Sequence, residues 1–378
     1  MEEKLKTPSN VSPLKNGVSK EGLAPGMSWK EWKQKRKENK LWKESKALKK
    51  QKKSEESVKR LQDKSLGDHK LVKDWTVSIA VPGSILDNAQ SPELKTYLAG
   101  QIARAAAVFN IGEIIVFNDT PVASMVEEDD QSLKLHRKNH GSVQMIRILQ
   151  FLECPQYLRK YYFPLHKDLE YAGLLNPLDI PHHLRVDEDS EYREGIVLNK
   201  PVKEGRGSFV YIGLKKTAII DKILESNVRV TVKLDQEHCS KKHYKGIAVA
   251  PSMPYKESGI YWGYSVRHAK SIKNVFDESP FKGGYDLTIG TSDKGHNVDE
   301  FQMPPFKHLL IVFGGLKGLE ACIESDETLD VDEPKNLFNF YLNTCPLQGS
   351  RTIRTEEAVL ITLSALRPAM NKLENLKK

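Results

Sequence analysis

With 378 residues the chain is long enough for two compact domains plus tails, and a hydrophobic share of 39% is ordinary for a globular protein in water. No apolar run reaches bilayer-spanning length, and the N-terminus is polar and lysine-rich without an apolar h-region, so no membrane partner is expected and cytosol or nucleus is the default compartment. The formal charge of +8 is unevenly placed: residues 28–73 hold 17 Lys and Arg against 7 Asp and Glu, which leaves the remainder close to neutral. Such a block is attracted to polyanions and commonly carries a nuclear or nucleolar address.

Residues 1–73 are predicted to form an arm. Its first 27 residues are rich in Pro, Ser, Gly and Asn without periodicity and should be disordered. From Ser28 a charged helical pattern with Trp29, Trp32 and Trp42 runs to about Lys64, marginal alone and more ordered against phosphates or a partner; a solvated linker is the alternative.

An ordered α/β region is expected at 74–190. The β-branched run 76–81 reads as a buried strand, Ser91 and Pro92 as the cap and first turn of a helix through Ala107, and 113–117 as the next strand. That order implies a βαβ unit and a parallel sheet. A polar excursion at 127–140 precedes an amphipathic helix at 143–152.

From 191 to 275 the texture changes to short strands at 195–198, 208–212, 228–232 and 260–266, most simply an inserted barrel of the oligonucleotide-binding type. Phe209, Tyr211, Tyr261 and Trp262 are its candidate base-stacking rings and Lys215 and Lys216 its candidate phosphate contacts, although such rings also serve as core. Parallel-sheet texture returns over 276–378, with strands at 286–290, 309–313 and 338–342 before an apolar helix at 358–366.

Four cysteines, Cys154, Cys239, Cys322 and Cys345, are too scattered for a disulfide framework. His238, Cys239 and His243 lack a second ligand pair at finger spacing, so no metal site is expected.

Each C-terminal strand runs into a polar or glycine-bearing loop: Gly290 with Thr291 and Ser292; Gly314, Gly315, Leu316, Gly318 and Glu320; and Asn343, Thr344, Cys345, Gln348, Gly349, Ser350 and Thr352. Ligands of open α/β sheets sit beyond the carboxyl ends of strands, and glycines admit a flat heteroaromatic ring against main chain. Neither a P-loop nor a dinucleotide fingerprint is present; tight turns alone are the competing explanation.

These residues suggest a family. The chain resembles the SPOUT-class RNA methyltransferases, an α/β fold whose sheet ends in a trefoil knot that binds S-adenosylmethionine. Residues 350–358 (SRTIRTEEA) resemble the G-x-R-I-L-R-x-E-T-A segment of bacterial ribosomal uridine-N3 methyltransferases, and 312–320 (VFGGLKGLE) their I-G-P-E-G-G loop without its proline. Residues 100–109 (GQIARAAAVF) resemble the G-x-I-x-R-x-A motif of the ribose-methylating branch, whose arginine assists catalysis. Over residues 75–370 the chain is most similar to a eukaryotic SPOUT-domain family also described as centromere-associated.

The resemblance implies S-adenosylmethionine in the three loops, ribosomal RNA as substrate with uridine N3 as target, and a homodimer sharing its active site. Arg104 and Arg354 become candidates to stabilise charge on an anionic uracil, and Glu356 a candidate proton acceptor. Glu356 and Glu357 are also explained by the dipole of the final helix, and Arg104 by a structural ion pair or by holding a carbonyl of a cofactor loop. Two other accounts stand beside the enzyme: a non-catalytic scaffold with mitotic spindle or kinetochore partners, and a simple RNA-binding module.

Overall fold

The computed structural model describes residues 72–119, 140–202, 207–235, 242–331 and 333–375, together with Gln34, Lys37 and Glu38. The chain divides into two compact units, Met1–His69 and Lys70–Lys378, and every element below belongs to the second. The basic arm, the excursion after Asp119, and His238 with Cys239 therefore lie largely or wholly outside the described residues.

The strands are β1 Thr76–Pro82, β2 Glu113–Phe117, β3 Tyr192–Val197, β4 Phe209–Tyr211, β5 Ala218–Ile219, β6 Arg229–Leu234, β7 Tyr244–Val249, β8 Ser265–Ala269, β9 Leu287–Asn297, β10 His308–Val312 and β11 Phe340–Asn343. The helices are α1 Pro92–Val108, α2 His140–Glu153, α3 Gln156–Tyr162, α4 Met253–Ser258, α5 Ile272–Asp277, α6 Gly318–Glu324, α7 Pro334–Leu337 and α8 Thr355–Asn375. The predicted start of α1 is realised: the Ser91 hydroxyl accepts the Leu94 amide at 3.3 Å and Pro92 opens the first turn.

Six strands make one sheet in the order β11-β9-β10-β1-β2-β8, parallel throughout. Both faces are covered, as a parallel sheet requires. Successive residues of β1 point to opposite sides, so Val77, Ile79 and Val81 join a core under α1, α2 and α8, while Ala80 joins a second core under α5 and α6. The β-α-β succession and the return of the C-terminal strands to the side of β1 give the parallel α/β sheet expected from the sequence.

Between β2 and β8 the chain builds a closed barrel, β3-β4-β5-β7-β6. All its pairs are antiparallel except β5 with β7, and this order is the oligonucleotide-binding topology. Its strands run from Tyr192 to Val249. The run 260–266, read from sequence as a barrel strand, is instead irregular until β8, which pairs with β2 at the edge of the parallel sheet. Trp262 and Tyr261 are consequently core rather than RNA-facing: the Trp262 indole donates to Glu194 at 2.6 Å and the Tyr261 hydroxyl to the Ile111 carbonyl at 2.8 Å.

A buried polar network joins barrel to sheet. Arg229 of β6 donates to both oxygens of Glu153 at the end of α2, at 2.6 and 2.9 Å, and to Glu194 of β3 at 2.8 Å. Thr231 also donates to Glu194, and the imidazoles of His182 and His183 meet the Glu153 carbonyl oxygen at 3.0 and 2.6 Å. Gly263, at φ +90°, admits this approach, since a Cβ there would stand 2.7 Å from the His182 ring and 2.8 Å from the Glu153 carboxylate.

Burial alone would raise the Glu153 pKa, but hydrogen bonds from His182 and Arg229 outweigh it and hold the carboxylate at about 2. Burial, reinforced by the neighbouring His182, keeps His183 neutral down to about 4. Between about 6.5 and 4 the unfolded chain gains a proton on His183 that the folded chain refuses. Below about 4.5 the unfolded carboxylate of Glu153 is protonated while the folded one stays ionised. Stability should therefore fall as pH drops from 6.5, by roughly 2–3 kcal/mol at pH 4 from His183 alone. Urea midpoints from pH 7.5 to 4 test this: the fall should shrink in His183→Gln, and an unchanged profile in that variant would contradict the assignment.

Candidate active site

The carboxyl ends of β9, β10 and β11 meet at one edge of the sheet. β9 and β11 pair in step at Ile289 with Phe340 and Gly290 with Tyr341, then resume at His296 with Leu342, so residues 291–295 leave the ladder as a wide bulge. The expected loop after Gly290 is thus a projection from a longer strand. Gly290 lies against the Phe338 ring, where a Cβ would stand 2.4 Å away. The Thr291 hydroxyl, at the base of the bulge, donates to the Val312 carbonyl at 3.1 Å. Ser292 accepts the Lys294 amide at 3.2 Å.

After β10 the backbone makes a tight turn, closed by the Gly318 amide on the Gly315 carbonyl at 3.0 Å. Gly318 takes φ +81°, and a Cβ on Gly314 would stand 2.6 Å from the backbone of Gly318 and Leu319. Leu316 at the tip is 79% exposed. Glu320, in the first turn of α6, receives the Lys294 ammonium at 2.9 Å across the gap from the β9 bulge. Burial opposes its ionisation, yet that hydrogen bond prevails and keeps its pKa below the usual carboxylate value.

The third loop is stitched to the other two. Asn343 donates to the Asp293 carbonyl at 2.9 Å and accepts the Cys345 amide at 3.0 Å. Thr344 and Thr362 share a hydroxyl hydrogen bond of 2.8 Å, and Thr355, the first residue of α8, donates to the Gly314 carbonyl at 2.9 Å. Farther out, Gln348 donates to the Ser350 carbonyl and Ser350 to that of Thr352, so this stretch is ordered from within, while Gly349 stands in open space.

The candidate catalytic residues separate. Arg354 is exposed at the cap of α8, its amide accepted by Glu357 at 3.0 Å in half of a capping box, which gives Glu357 a structural duty. Glu356 is half-buried beside it. Arg104 lies three turns into α1 and donates to the Leu178 carbonyl, tying the helix to the segment ahead of the barrel. None of its hydrogen bonds among the described residues reaches the three loops.

One group escaped the sequence reading. Asp119, just beyond β2, accepts the Ser84 hydroxyl, and its carboxylate lies 3.1 Å from where a Gly315 Cβ would be. Burial raises its pKa despite that hydrogen bond. Its position as the first acid past the carboxyl end of a parallel strand was the available signal.

Residues 76–366 match the family described as "Putative RNA methyltransferase". The chain belongs to this RNA methyltransferase family. It is 54% identical over 319 residues to a human 28S rRNA (uridine-N(3))-methyltransferase, covering 84% of this chain and 85% of the relative. A Drosophila melanogaster protein of the same name is 48% identical over 356 residues, 91% of this chain and 73% of the relative. Among solved structures, the SpoU methyltransferase AviRb of Streptomyces viridochromogenes, in complex with AdoMet, aligns at 11% identity and a TM-score of 0.28, over 80% of this chain and 62% of its own.

The turn geometry predicts that Gly314→Ala destabilises the methyltransferase by roughly 1–3 kcal/mol, because backbone atoms must give way, whereas Gly349→Ala is nearly neutral. Thermal unfolding of the two variants side by side checks this. Equal melting temperatures would contradict the tight packing at Gly314.

Proposed function

We propose that this protein transfers a methyl group from S-adenosylmethionine to N3 of a uridine in large-subunit ribosomal RNA. The observation that carries the reading is the convergence of three strand-end loops, hydrogen-bonded to one another and to the first turn of α8, in a chain whose 54% and 48% identical relatives bear that activity in their names. The loops would suit the donor: Gly314, Gly315 and Gly318 keep side chains out of the turn after β10, leaving main chain that a flat ring could approach, and the charges of Lys294 and Glu320 pair beside it.

When bound, S-adenosylmethionine supplies a methyl carbon made electrophilic by its sulfonium. The chain's own task is to present N3 in line and to favour loss of its proton. Arg354, exposed at the mouth of the loops, stabilises the negative charge that develops on the uracil carbonyl oxygens. Asp119, which accepts the Ser84 hydroxyl beside Gly315 and whose proton affinity is raised by burial, is the first candidate to take the proton, and Glu356 in the first turn of α8 is the second. Arg104 serves by holding α1 to the segment at Leu178.

A second copy completes the proposed enzyme. On α8, Val359, Leu363 and Leu366 are buried against this chain's own core, while Leu360 is 49% exposed on another face that a partner would cover. A nucleolar location would suit the substrate and the basic arm. A spindle or kinetochore scaffold finds no supporting feature among the described residues.

Incubation with isotope-labelled donor and large-subunit RNA, followed by nucleoside mass spectrometry, should yield labelled 3-methyluridine; its absence with a well-folded protein would defeat the reading. Arg354→Ala should keep donor affinity by calorimetry and slow transfer about a hundredfold or more. Asp119→Asn should slow transfer by a similar factor and lose the acid limb of the pH–rate profile, which rises in the wild type as Asp119 ionises. Wild-type turnover in either variant would remove that residue from the mechanism.

A further inference from the structure

The outer surface of the barrel carries aromatic rings that the chemistry above does not use. In β4, the second barrel strand, Val210 is buried in the barrel core while its neighbours Phe209 and Tyr211 are half-buried on the opposite side. Lys200, in the connection after the first barrel strand, places its ammonium 5.8 Å from the Phe209 ring centre. His243, at the start of the last barrel strand, meets the same ring edge-on at 5.3 Å. Tyr211 lies beside Tyr161 of α3 at 5.6 Å, and the Lys160 ammonium stands 4.9 Å from the Tyr161 ring and 5.6 Å from that of Tyr211. Tyr161 is 42% exposed.

Two features of this row are informative together. Residues two apart on a strand are about 6.6 Å apart, comparable to one step between bases in an extended single strand. Each ring is also flanked by an ammonium that both polarises its face and is available to a phosphate. In a barrel of this topology the second and third strands, with the loops that supply Lys200 and border His243, form the usual oligonucleotide surface.

We propose that β4 and α3 form a binding site for single-stranded RNA, with Phe209 and Tyr211 stacking on successive bases and Lys160 and Lys200 meeting the adjoining phosphates. The choice of RNA rests on the methyltransferase reading; the stacking does not. Selection against duplex follows from the mode of contact, because paired bases keep their faces covered. The site would hold unpaired nucleotides flanking the target and so choose which uridine reaches the loops.

The test is fluorescence anisotropy with the full-length protein and a labelled oligouridine of about twelve nucleotides, set against an RNA duplex of equal length. Tyr211→Leu should weaken single-strand binding about tenfold to a hundredfold, and Tyr211→Phe should leave it intact. Lys160→Gln should lower the salt dependence by about one phosphate contact. Tyr161→Ala, at an exposed position, should weaken binding without moving the melting temperature, which guards against misfolding of the Tyr211 variant. Unchanged affinity and salt dependence in Tyr161→Ala and Lys160→Gln, or equal affinity for duplex, would overturn the proposal. Donor binding by calorimetry should be untouched in all these variants. A protein that loses oligouridine binding in them yet takes up no S-adenosylmethionine would sink the enzymatic reading and leave this site standing.

Discussion

The hydroxyl of Thr355 donates to the carbonyl of Gly314 at 2.9 Å, and the shape of the site follows from that contact. A parallel sheet leaves the last carbonyls of its strands without ladder partners, so the chain beyond them has to be organised by something else. Here the final helix does it: its first residue holds the glycine turn after β10, and one turn on from its buried Val359, Thr362 holds Thr344 after β11. The helix is itself fixed by packing Val359, Leu363 and Leu366 into the core shared with α1. Loop geometry is thereby referred to the packed core beneath the sheet, which is what a site that must align two reactants needs.

A second constraint acts at the barrel. The Arg229 guanidinium is shared between Glu153 and Glu194, which come from the α/β region and the barrel, and Trp262 and Thr231 satisfy the remaining oxygen of Glu194. Taking three charges out of water is costly, and attraction offsets that cost only in this one arrangement, so the network specifies orientation more than it adds stability. A barrel held in a fixed attitude is useful only if its surface has to be in register with the loops, and the row at Phe209 and Tyr211 gives that register a purpose.

Much of this was legible in the sequence, for local reasons. The run 76–81, the Ser91-Pro92 cap and the run 113–117 carry their signals within a few residues, and they fold as β1, α1 and β2 almost to the residue. The run 260–266 misled because its aromatic and β-branched residues favour extended backbone without saying which sheet receives it; Trp262 is decided by Glu194, 68 residues away. β5 is only two residues long, and β7 carries Lys245 and Gly246 in a pattern that reads as a loop. The three site loops were visible as glycine after apolar runs, whereas Asp119 was marked only as the first acid past a strand, because its meaning depends on Ser84 and Gly315 arriving from beyond two other strands. The exposed basic row at Lys160 and Lys200 likewise exists only once α3 is laid against β4.

The final helix shapes the loops through Thr355, which offers direct access to that coupling. Thr355→Val keeps the shape of the side chain and removes the hydroxyl, while Thr355→Ser keeps the hydroxyl. Calorimetric titration of the three proteins with S-adenosylmethionine should show affinity reduced about tenfold in the valine variant, as expected for one lost hydrogen bond that leaves a carbonyl unsatisfied, and preserved with serine. Wild-type affinity in Thr355→Val would mean that the glycine turn holds its form without the helix, and the central claim would fail.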